Sequence, residues 1–311
     1  MKVWFAGGLT WAALSGALVL AAEPTLVLNS PLAALDGLSR NYPGDRSIAN
    51  DPAVIFASDF ENEDLIQGWD EKRDRGGKVL SRVRLDDSSR GFGHSLCVTS
   101  SLGENTGGGL TKWFQSSKEV FVRFYTRFGA DCSYVHHFVT LRGNRGLNGK
   151  DRWSGFGGAG LCPDGTERFS TALEPWGNWG RWSPPGRWNF YSYWHEMKAS
   201  PDGKYWGNGF RLPEQPDIER GRWICLEFML RHNTPDQPDG EQAFWVDGKL
   251  IGHWRGFNWR RTASLMANAL TLESYVTDRW TQQKTNVVYF DNVVIAREHI
   301  GIRTPAEKDP D

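Results

Sequence analysis

The chain has 311 residues, and its 36 basic and 37 acidic residues give a formal net charge of −1. Such a balance supplies no overall attraction to nucleic acid or to anionic membranes, so we expect neither as a partner, although a local basic cleft remains compatible with it. The 16 tryptophans are the unusual feature, because indole rings bury large apolar areas and also stack on sugar rings.

The first 22 residues have the pattern of a secretory signal peptide. Lys2 precedes an apolar run from Val3 to Leu20, and the small residues Ala21 and Ala22 follow it. A cleaved signal fits this pattern better than an uncleaved anchor, which is the alternative. No other stretch is long and apolar enough to span a bilayer. We therefore expect a secreted or periplasmic protein with no membrane association after cleavage.

The remainder reads as a lead-in, one domain and a tail. Residues 23–52 contain four prolines and lack sustained periodicity, which predicts a short flexible or surface-hugging segment. A single domain follows over residues 53–303, and residues 304–311 form the tail. Strands are predicted at Val54–Phe56, Ser95–Thr99, Glu119–Phe128, His136–Leu141, Trp188–His195, Trp223–His232, Ala243–Asp247, Leu270–Val276 and Asn286–Ala296.

Loops rich in Gly, Pro and Asn separate these strands, notably residues 143–160 and 175–186. The stretch Arg261–Ala269 is a helical turn or a loop, and no longer segment has a helical period. Many short strands with long polar loops predict an all-β protein, a jelly-roll β-sandwich of two antiparallel sheets.

Three segments carry a family resemblance. FASDFEN (residues 56–62) and VVYFDNVVIAREHIG (287–301) resemble the first and last strands of concanavalin A-like jelly rolls, where the terminal strands are neighbours. The hairpin RWICLEFMLRHNTP…DGEQAFWVDGK (222–249) is similar to that of polysaccharide lyases of the alginate- and glucuronan-lyase type. The resemblance implies the sandwich fold and a carbohydrate-active protein that degrades polysaccharide. Fold alone does not set function, since hydrolases and binding modules share this sandwich.

The four cysteines allow three pairings. Cys97 and Cys225 lie in strand-like runs and read as buried thiols. Cys132 and Cys162 lie in loop-like segments, so a disulfide between these two is the pairing that we would test first.

The first group of candidate site residues is YVHHFVTLRG (residues 134–143). Strand alternation places His136 and Arg142 on one face, together with Phe138 and Thr140, and leaves His137, Val139 and Leu141 on the other. Histidine exchanges a proton near neutral pH, and arginine grips a carboxylate through its planar fork. Removal of the C5 proton of a uronic acid needs both functions, so His136 and Arg142 are catalytic candidates. An internally bonded histidine and a surface-paired arginine are the structural alternative.

The second group is NFYSYWHEM (residues 189–197). Alternation gives Asn189, Tyr191, Tyr193 and His195 a common face, a polar and aromatic row that suits a saccharide groove. A tyrosine can protonate a leaving glycosidic oxygen. Tyr193 and His195 are therefore catalytic candidates and Tyr191 a substrate-binding one. The alternative is that these tyrosines pack inside the protein, with their hydroxyl groups hydrogen-bonded there.

The third group combines side chains of two predicted strands, Trp223–His232 and Leu270–Val276. If both strands lie in the same sheet, Glu227, Arg231, Glu273 and Tyr275 face one cleft. Tyr275 is then a catalytic candidate, and the other three bind substrate. Two carboxylates in a cleft can also serve a glycoside hydrolase, so Glu227 with Glu273 is the hydrolase alternative. A structural pairing of Glu227 with an arginine is a further alternative.

Further substrate-binding candidates come from a strand and a loop. Arg123 and Arg127 share a strand face and, with Arg142 and Arg231, predict a cationic cleft for an acidic polysaccharide. Trp179 lies in a Gly/Pro loop, where a ring is well placed to stack on sugars.

A structural calcium ion is a candidate ligand, although the chemistry itself calls for no cofactor. Asp59 and Glu61 on the first strand and Asp291 on the last supply hard oxygen atoms at one predicted edge. Turn capping or pairing with bases is the alternative.

Together these patterns favour a secreted polysaccharide lyase acting by β-elimination on a uronic-acid glycan. Arg142 or Arg127 would neutralise the carboxylate, His136 or Tyr193 would take the proton, and a tyrosine would protonate the leaving oxygen. A non-catalytic carbohydrate-binding protein and a hydrolase are the alternatives.

Overall fold

The computed structural model describes residues 23–85, 93–104, 106–278 and 285–305. The predicted signal peptide and residues 306–311 of the predicted tail lie outside the described residues. The described strands, in chain order, are β1 (Thr25–Leu26), β2 (Val54–Ser58), β3 (Glu71–Arg73), β4 (Leu80–Arg84), β5 (His94–Ser101), β6 (Gly107–Trp113), β7 (Glu119–Phe128), β8 (Val139–Asn144), β9 (Arg168–Trp176), β10 (Arg187–Tyr193), β11 (Asn208–Phe210), β12 (Ile224–Arg231), β13 (Gly240–Val246), β14 (Lys249–Phe257), β15 (Met266–Tyr275) and β16 (Thr285–Ala296). Short 3-10 turns lie at Pro31–Ala34, Leu38–Asn41, Pro43–Asp45, Ile48–Asn50, Asp151–Trp153 and Asn178–Gly180.

The strands form two antiparallel sheets packed face to face. Sheet A has the order β1-β14-β13-β12-β7-β16-β5-β4, with β2 also paired to β16, and sheet B has the order β11-β10-β9-β8-β15-β6-β3. The prediction of an all-β jelly-roll sandwich is confirmed. The terminal strands are neighbours, as the resemblance implied, because Ser58 of β2 pairs with Val293 of β16.

The core lies between the inner faces of the two sheets. In β12, Ile224, Leu226, Phe228 and Leu230 are all buried in it, as the alternation predicts. Each strand of a sandwich contributes every second side chain to such a core, and the intervening residues point to the outer face.

Several strand boundaries differ from the predictions. Strand β8 begins at Val139, so residues 136–138 are not part of it. The stretch from Arg261 turns and then enters β15 at Met266. Strands β1, β3, β4, β6, β9, β11 and β14 correspond to no predicted strand, and β9 ends in a region predicted as loop.

The lead-in packs on the outer face of sheet A. Leu32 and Ile48 are buried in one apolar cluster with Phe121, Met229 and Trp245 of the sheet. Of the two forms expected for residues 23–52, the structure has the surface-hugging one. Since a sheet face covered in this way is closed to solvent, polar residues on it must find partners inside the protein.

Arg123 is the first of these polar residues. Its side chain is fully buried, and its guanidinium donates to the Asp45 carboxylate of the lead-in, at 3.1 Å for Nη1 to Oδ1, and to Ser39 Oγ at 2.8 Å. Arg123 therefore ties the lead-in to sheet A. The prediction that it lies in an open cationic cleft is wrong.

Glu227 is the second polar residue on the covered face of sheet A that finds its partners inside the protein. Its carboxylate accepts hydrogen bonds from the backbone amides of Ile300 and Gly301, at 2.7 and 2.8 Å, and lies 3.0 Å from His299 Nδ1. Gly37 allows this C-terminal segment to meet the lead-in, because a Cβ there would lie 2.5 Å from the Ile300 carbonyl oxygen. The predicted solvent-facing role of Glu227 is wrong, since the lead-in and the C-terminal segment cover it.

All four cysteines are free thiols. Cys132 is buried, which raises the pKa of its thiol to about 12, whereas Cys162 is exposed. The expected Cys132–Cys162 pair does not form. Among the described residues, no helix has the length and apolar character needed to cross a membrane.

Replacement of Arg123 should test the lead-in contact. Arg123→Ala leaves Asp45 without its buried partner, which costs about 3–5 kcal/mol for ion pairs of this kind. Urea unfolding measures the loss. Arg127→Ala is the matched control, because Arg127 lies on the same strand and face but is only partly buried; equal losses in the two variants would contradict the assignment.

Candidate functional site

A trough lies on the outer face of sheet B. Its floor consists of β10, β9, β8, β15, β6 and β3, and the loop of residues 145–161 forms one wall through Phe156, Gly157 and Ala159. The main cavity in it has a volume of about 450 Å³, within the range of sites that bind small molecules.

Period-two alternation brings the polar side chains to this face. In β9, Arg168, Ser170 and Ala172 line the trough, whereas Phe169 and Leu173 point into the core. Cross-strand register sets Ser170 between Arg142 of β8 and Tyr193 of β10. One row across the sheet therefore carries a guanidinium, a hydroxyl and a phenol.

Glu273 of β15 holds two arginines at the floor. Its carboxylate, 4% exposed, accepts from Arg73 of β3 and from Arg142, the latter at 3.3 Å. Arg142 also donates to Thr271 Oγ1 at 3.2 Å, and its guanidinium lies 4.8 Å from the ring of Phe156. Burial lowers the pKa of Arg142. The guanidinium is thus held in one orientation by a carboxylate, a hydroxyl and a ring.

His137 and Glu174 form a second bonded pair. His137 Nδ1 lies 3.2 Å from Glu174 Oε2. Burial opposes protonation of His137, but the hydrogen bond and charge of Glu174 outweigh it and raise the histidine pKa. Burial raises the pKa of Glu174 as well. Both shifts have the same sense, so the pair retains a proton to higher pH than isolated side chains would.

Three tyrosines complete the trough. The hydroxyls of Tyr191 and Tyr193 lie 3.3 Å apart, and the Tyr275 ring lies 5.3 Å from that of His137. Burial, followed by the bond to Tyr193, raises the pKa of Tyr191, and burial with the charge of Glu273 raises that of Tyr275. Tyr191 and Tyr275 are therefore neutral proton donors over the physiological range.

The trough is cationic even though the chain is nearly neutral. Among the described residues that line the main cavity, Arg73, Arg75, Arg142 and Arg168 stand against one carboxylate, that of Glu273. Charges gathered in a cleft with low-dielectric walls attract ligands of opposite sign.

Five of the sequence-predicted site residues meet in this trough: Arg142, Tyr191, Tyr193, Glu273 and Tyr275. Their chemical roles stay predictions.

Two predicted histidines lie outside the cavity lining. The His136 amide donates to the Tyr275 carbonyl at 2.9 Å, and its ring lies 5.1 Å from that of Tyr275. His195 follows the end of β10 with its side chain almost fully buried, and burial lowers its pKa. The alternation rule misplaced His136 because Phe138 is a core residue that precedes β8.

Four predicted substrate contacts lie on the opposite side of the molecule. Arg123, Arg127, Glu227 and Arg231 belong to β7 and β12 and point to the outer face of sheet A. Arg231 is held there by Glu119 at 2.9 Å and Glu241 at 2.8 Å. The expected shared cleft and the Glu227–Glu273 hydrolase pair are wrong, because the two glutamates lie in different sheets.

Trp179 also lies outside the cavity lining. It is 63% exposed, and its ring packs edge-on against Trp176 at 5.3 Å. Its contact with a glycan stays a prediction.

The three expected calcium ligands lie near one another but bond elsewhere. Asp291 accepts from Ser95 Oγ at 2.7 Å, Asp59 from the Glu61 amide at 3.1 Å, and Glu61 from the His94 amide at 2.8 Å. Burial raises the pKa of Asp291, and the charges of Glu61 and Asp59 add to this. Within the described ranges, no group of three or more such side chains is arranged to hold a metal ion. Calcium binding stays a prediction.

Sequence reasoning missed several residues of the trough. Arg168 and Glu174 could have been found, because RFSTALEPW alternates clearly over residues 168–176. His137 had been assigned to the core-facing side. Arg73 lies in a three-residue edge strand, which is too short for any period to show.

No protein-family model and no curated protein sequence matches this chain. Solved structures with a similar fold include alginate lyase vAL-1 from Chlorella virus, with a TM-score of 0.55 and 16% identity over 74% of this chain and 93% of that one. The marine PL-14 alginate lyase from Aplysia kurodai has a TM-score of 0.59 and 13% identity, over 78% of this chain and 99% of that one. The endo-β-1,4-glucuronan lyase from the fungus Trichoderma reesei has a TM-score of 0.50 and 16% identity, over 78% of this chain and 94% of that one.

The chain therefore has the fold of these polysaccharide lyases, and the resemblance expected from its sequence is confirmed at that level. Identities this low carry no assignment of activity.

Replacement of Glu273 should test its bridging role. Glu273→Gln removes the charge that two arginines share, and hydrogen bonds to charged groups contribute about 1.5–3 kcal/mol. Urea unfolding should show a loss in this range.

Glu71→Gln is the matched control, because Glu71 pairs with Arg152 at the same edge but is half-exposed. Exposed pairs contribute about 0–1 kcal/mol. A Glu273→Gln protein as stable as the wild type would contradict the bridge.

Proposed function

We propose that this protein is a secreted polysaccharide lyase that cleaves a uronic-acid glycan by β-elimination. The observation that carries the proposal is the gathering of guanidinium, imidazole and phenol groups around one cavity on the outer face of sheet B. The shared fold of the alginate and glucuronan lyases supports the same class of reaction.

The reaction has three needs. The uronate carboxylate must be neutralised so that the C5 proton becomes acidic, a base must take that proton, and an acid must protonate the leaving O4 as the C4–O4 bond breaks and the C4–C5 double bond forms. Charge-assisted contacts from fixed guanidinium groups meet the first need. We assign it to Arg142, with Arg168 as the second cation of the cavity.

We assign the base to His137 rather than to His136. His137 lines the cavity, and Glu174 orients its ring through Nδ1, which leaves Nε2 to accept the proton. The acid is assigned to the Tyr191–Tyr193 pair, because the raised pKa of Tyr191 keeps its phenol protonated. Arg142, Arg168, His137, Tyr191 and Tyr193 line the same cavity.

A non-catalytic carbohydrate-binding protein is the second candidate. It is favoured by Glu273, which already neutralises part of the charge of Arg73 and Arg142. A partly neutralised guanidinium still binds a sugar but polarises a carboxylate less.

An assay of unsaturated uronate formation separates the candidates. The chain is incubated with alginate, glucuronan and a neutral glucan, and the ultraviolet absorbance of the unsaturated product is followed. A lyase yields that product from a uronate polymer only. Loss of a general base typically lowers the rate by about 100-fold or more, so His137→Ala should retain glycan binding and lose product formation.

His136→Ala is the matched control, because His136 adjoins the cavity without lining it. Retention on a uronate column without product from any polymer would favour the binding protein and overturn the lyase.

The pH profile tests the base assignment. His137 must be neutral to accept a proton, and Glu174 raises its pKa above the ordinary value of about 6.5. The rate should therefore rise with pH through a midpoint above that value. Glu174→Gln removes the charge that raises the pKa, so the midpoint should move to lower pH.

Initial rates across a pH series measure the midpoint. A rate that falls with rising pH over the same interval would instead mean that protonated His137 acts as a cation on the substrate.

A further inference from the structure

A second cavity adjoins the main one on the β3 and β6 side. Its volume is about 240 Å³, and it shares Arg73, Arg142, Phe156 and Glu273 with the main cavity. The Glu273 bridge is thus a common wall, and the two cavities form one continuous trough. A polymer lying across the strands would pass from one into the other.

Trp153 supplies the second cavity with a fixed aromatic ring. The side chain is 44% exposed, and its ring packs edge-on against Trp113 at 4.7 Å and Phe156 at 5.1 Å. The backbone is held as well, since Trp113 Nε1 donates to the Arg152 carbonyl at 2.9 Å. The Arg152 guanidinium lies over the ring at 5.2 Å from its centroid, so a sugar would stack on the other face of the half-exposed ring. A ring fixed in advance loses little entropy on binding.

The polar lining of this cavity suits a charged sugar. Arg73 and Arg142 supply positive charge beside the carboxylate of Glu273, while Thr111 and Thr271 supply hydroxyl groups that can donate to or accept from a sugar. Glu71 is occupied by Arg152 at 2.8 Å, so its carboxylate is neutralised. The cavity therefore combines an apolar ring, two cations and two hydroxyls.

We propose that this second cavity is a further sugar subsite, which binds an additional acidic residue of the same glycan. Trp153 stacks on the apolar face of the sugar, and Arg73 meets its carboxylate. The class of glycan rests on the proposed function, but binding here is independent of the chemical step. The subsite makes the protein prefer long oligouronates over short ones.

The test measures affinity as a function of chain length. Calorimetric titrations use size-defined oligouronates, from disaccharide to hexasaccharide, on a His137→Ala background so that no substrate is consumed. Aromatic contacts of this kind contribute about 0.5–1.5 kcal/mol, which converts to about two- to tenfold in affinity. Trp153→Ala should lose that factor for the long oligomers and nothing for the shortest one that binds.

Trp206→Ala is the matched control. Trp206 is 37% exposed, bonds Asp202 through Nε1 at 2.9 Å and has Lys204 over its ring, yet it lines neither cavity. It should keep the wild-type length dependence. The subsite is overturned if folded Trp153→Ala, checked by its thermal midpoint, binds long oligomers as the parent does, loses affinity equally at all lengths, or behaves as Trp206→Ala does.

The two proposals fail separately. Length-dependent binding through Trp153 in a wild-type chain that releases no unsaturated product would overturn the lyase and keep the subsite. Product formation with unchanged length dependence in Trp153→Ala would overturn the subsite and keep the lyase.

Discussion

The lead-in and the C-terminal segment pack on part of the outer face of sheet A, so the residues beneath them are buried, whereas the outer face of sheet B carries the trough. Burial forces polar groups to pair inside the protein. Arg123 pairs with Asp45, and Glu227 is saturated by the amides of Ile300 and Gly301. The outer face of sheet B instead carries an open trough, so the side chains that line it are accessible to a ligand.

The same constraint explains why identical residue types play different parts in the two sheets. A guanidinium on sheet A, such as that of Arg123, is a structural tie between the sheet and the lead-in. A guanidinium on sheet B, such as that of Arg142, is held by one carboxylate at the edge of an open cavity. Charge type therefore says little about function until the cover on each face is known.

In the trough, the carboxylates that orient the arginine and histidine side chains also reduce the positive charge of the site. Glu273 and Glu174 hold Arg142 and His137 in place, and each carboxylate removes some of the positive charge that would attract an acidic glycan. Fixed groups spend less free energy on reorganisation than mobile ones. The surplus of arginines over carboxylates in the cavity lining keeps the trough cationic despite these bridges.

Local alternation was a sound guide within strands and a poor one beyond their ends. It placed Thr140 and Arg142 opposite Val139 and Leu141 correctly, because all four lie inside β8. It misplaced His136, because the residues before β8 do not alternate: Phe138 and Val139 are adjacent and both lie in the core. It also grouped Glu227 with Glu273, since each strand has a clear polar face and nothing local says which sheet a strand joins.

The sequence by itself determined the all-β sandwich and the tyrosine row of β10, because turn residues and period-two patterns are local properties. The pairing of the terminal strands was implied by the family resemblance. Only the tertiary structure decided which polar faces meet. Sheet membership depends on pairings between residues far apart in the chain, and the cover on sheet A depends on packing of the two chain ends. For that reason Arg73, Glu174 and His137 joined the trough, and Arg123, Arg127, Glu227 and Arg231 did not.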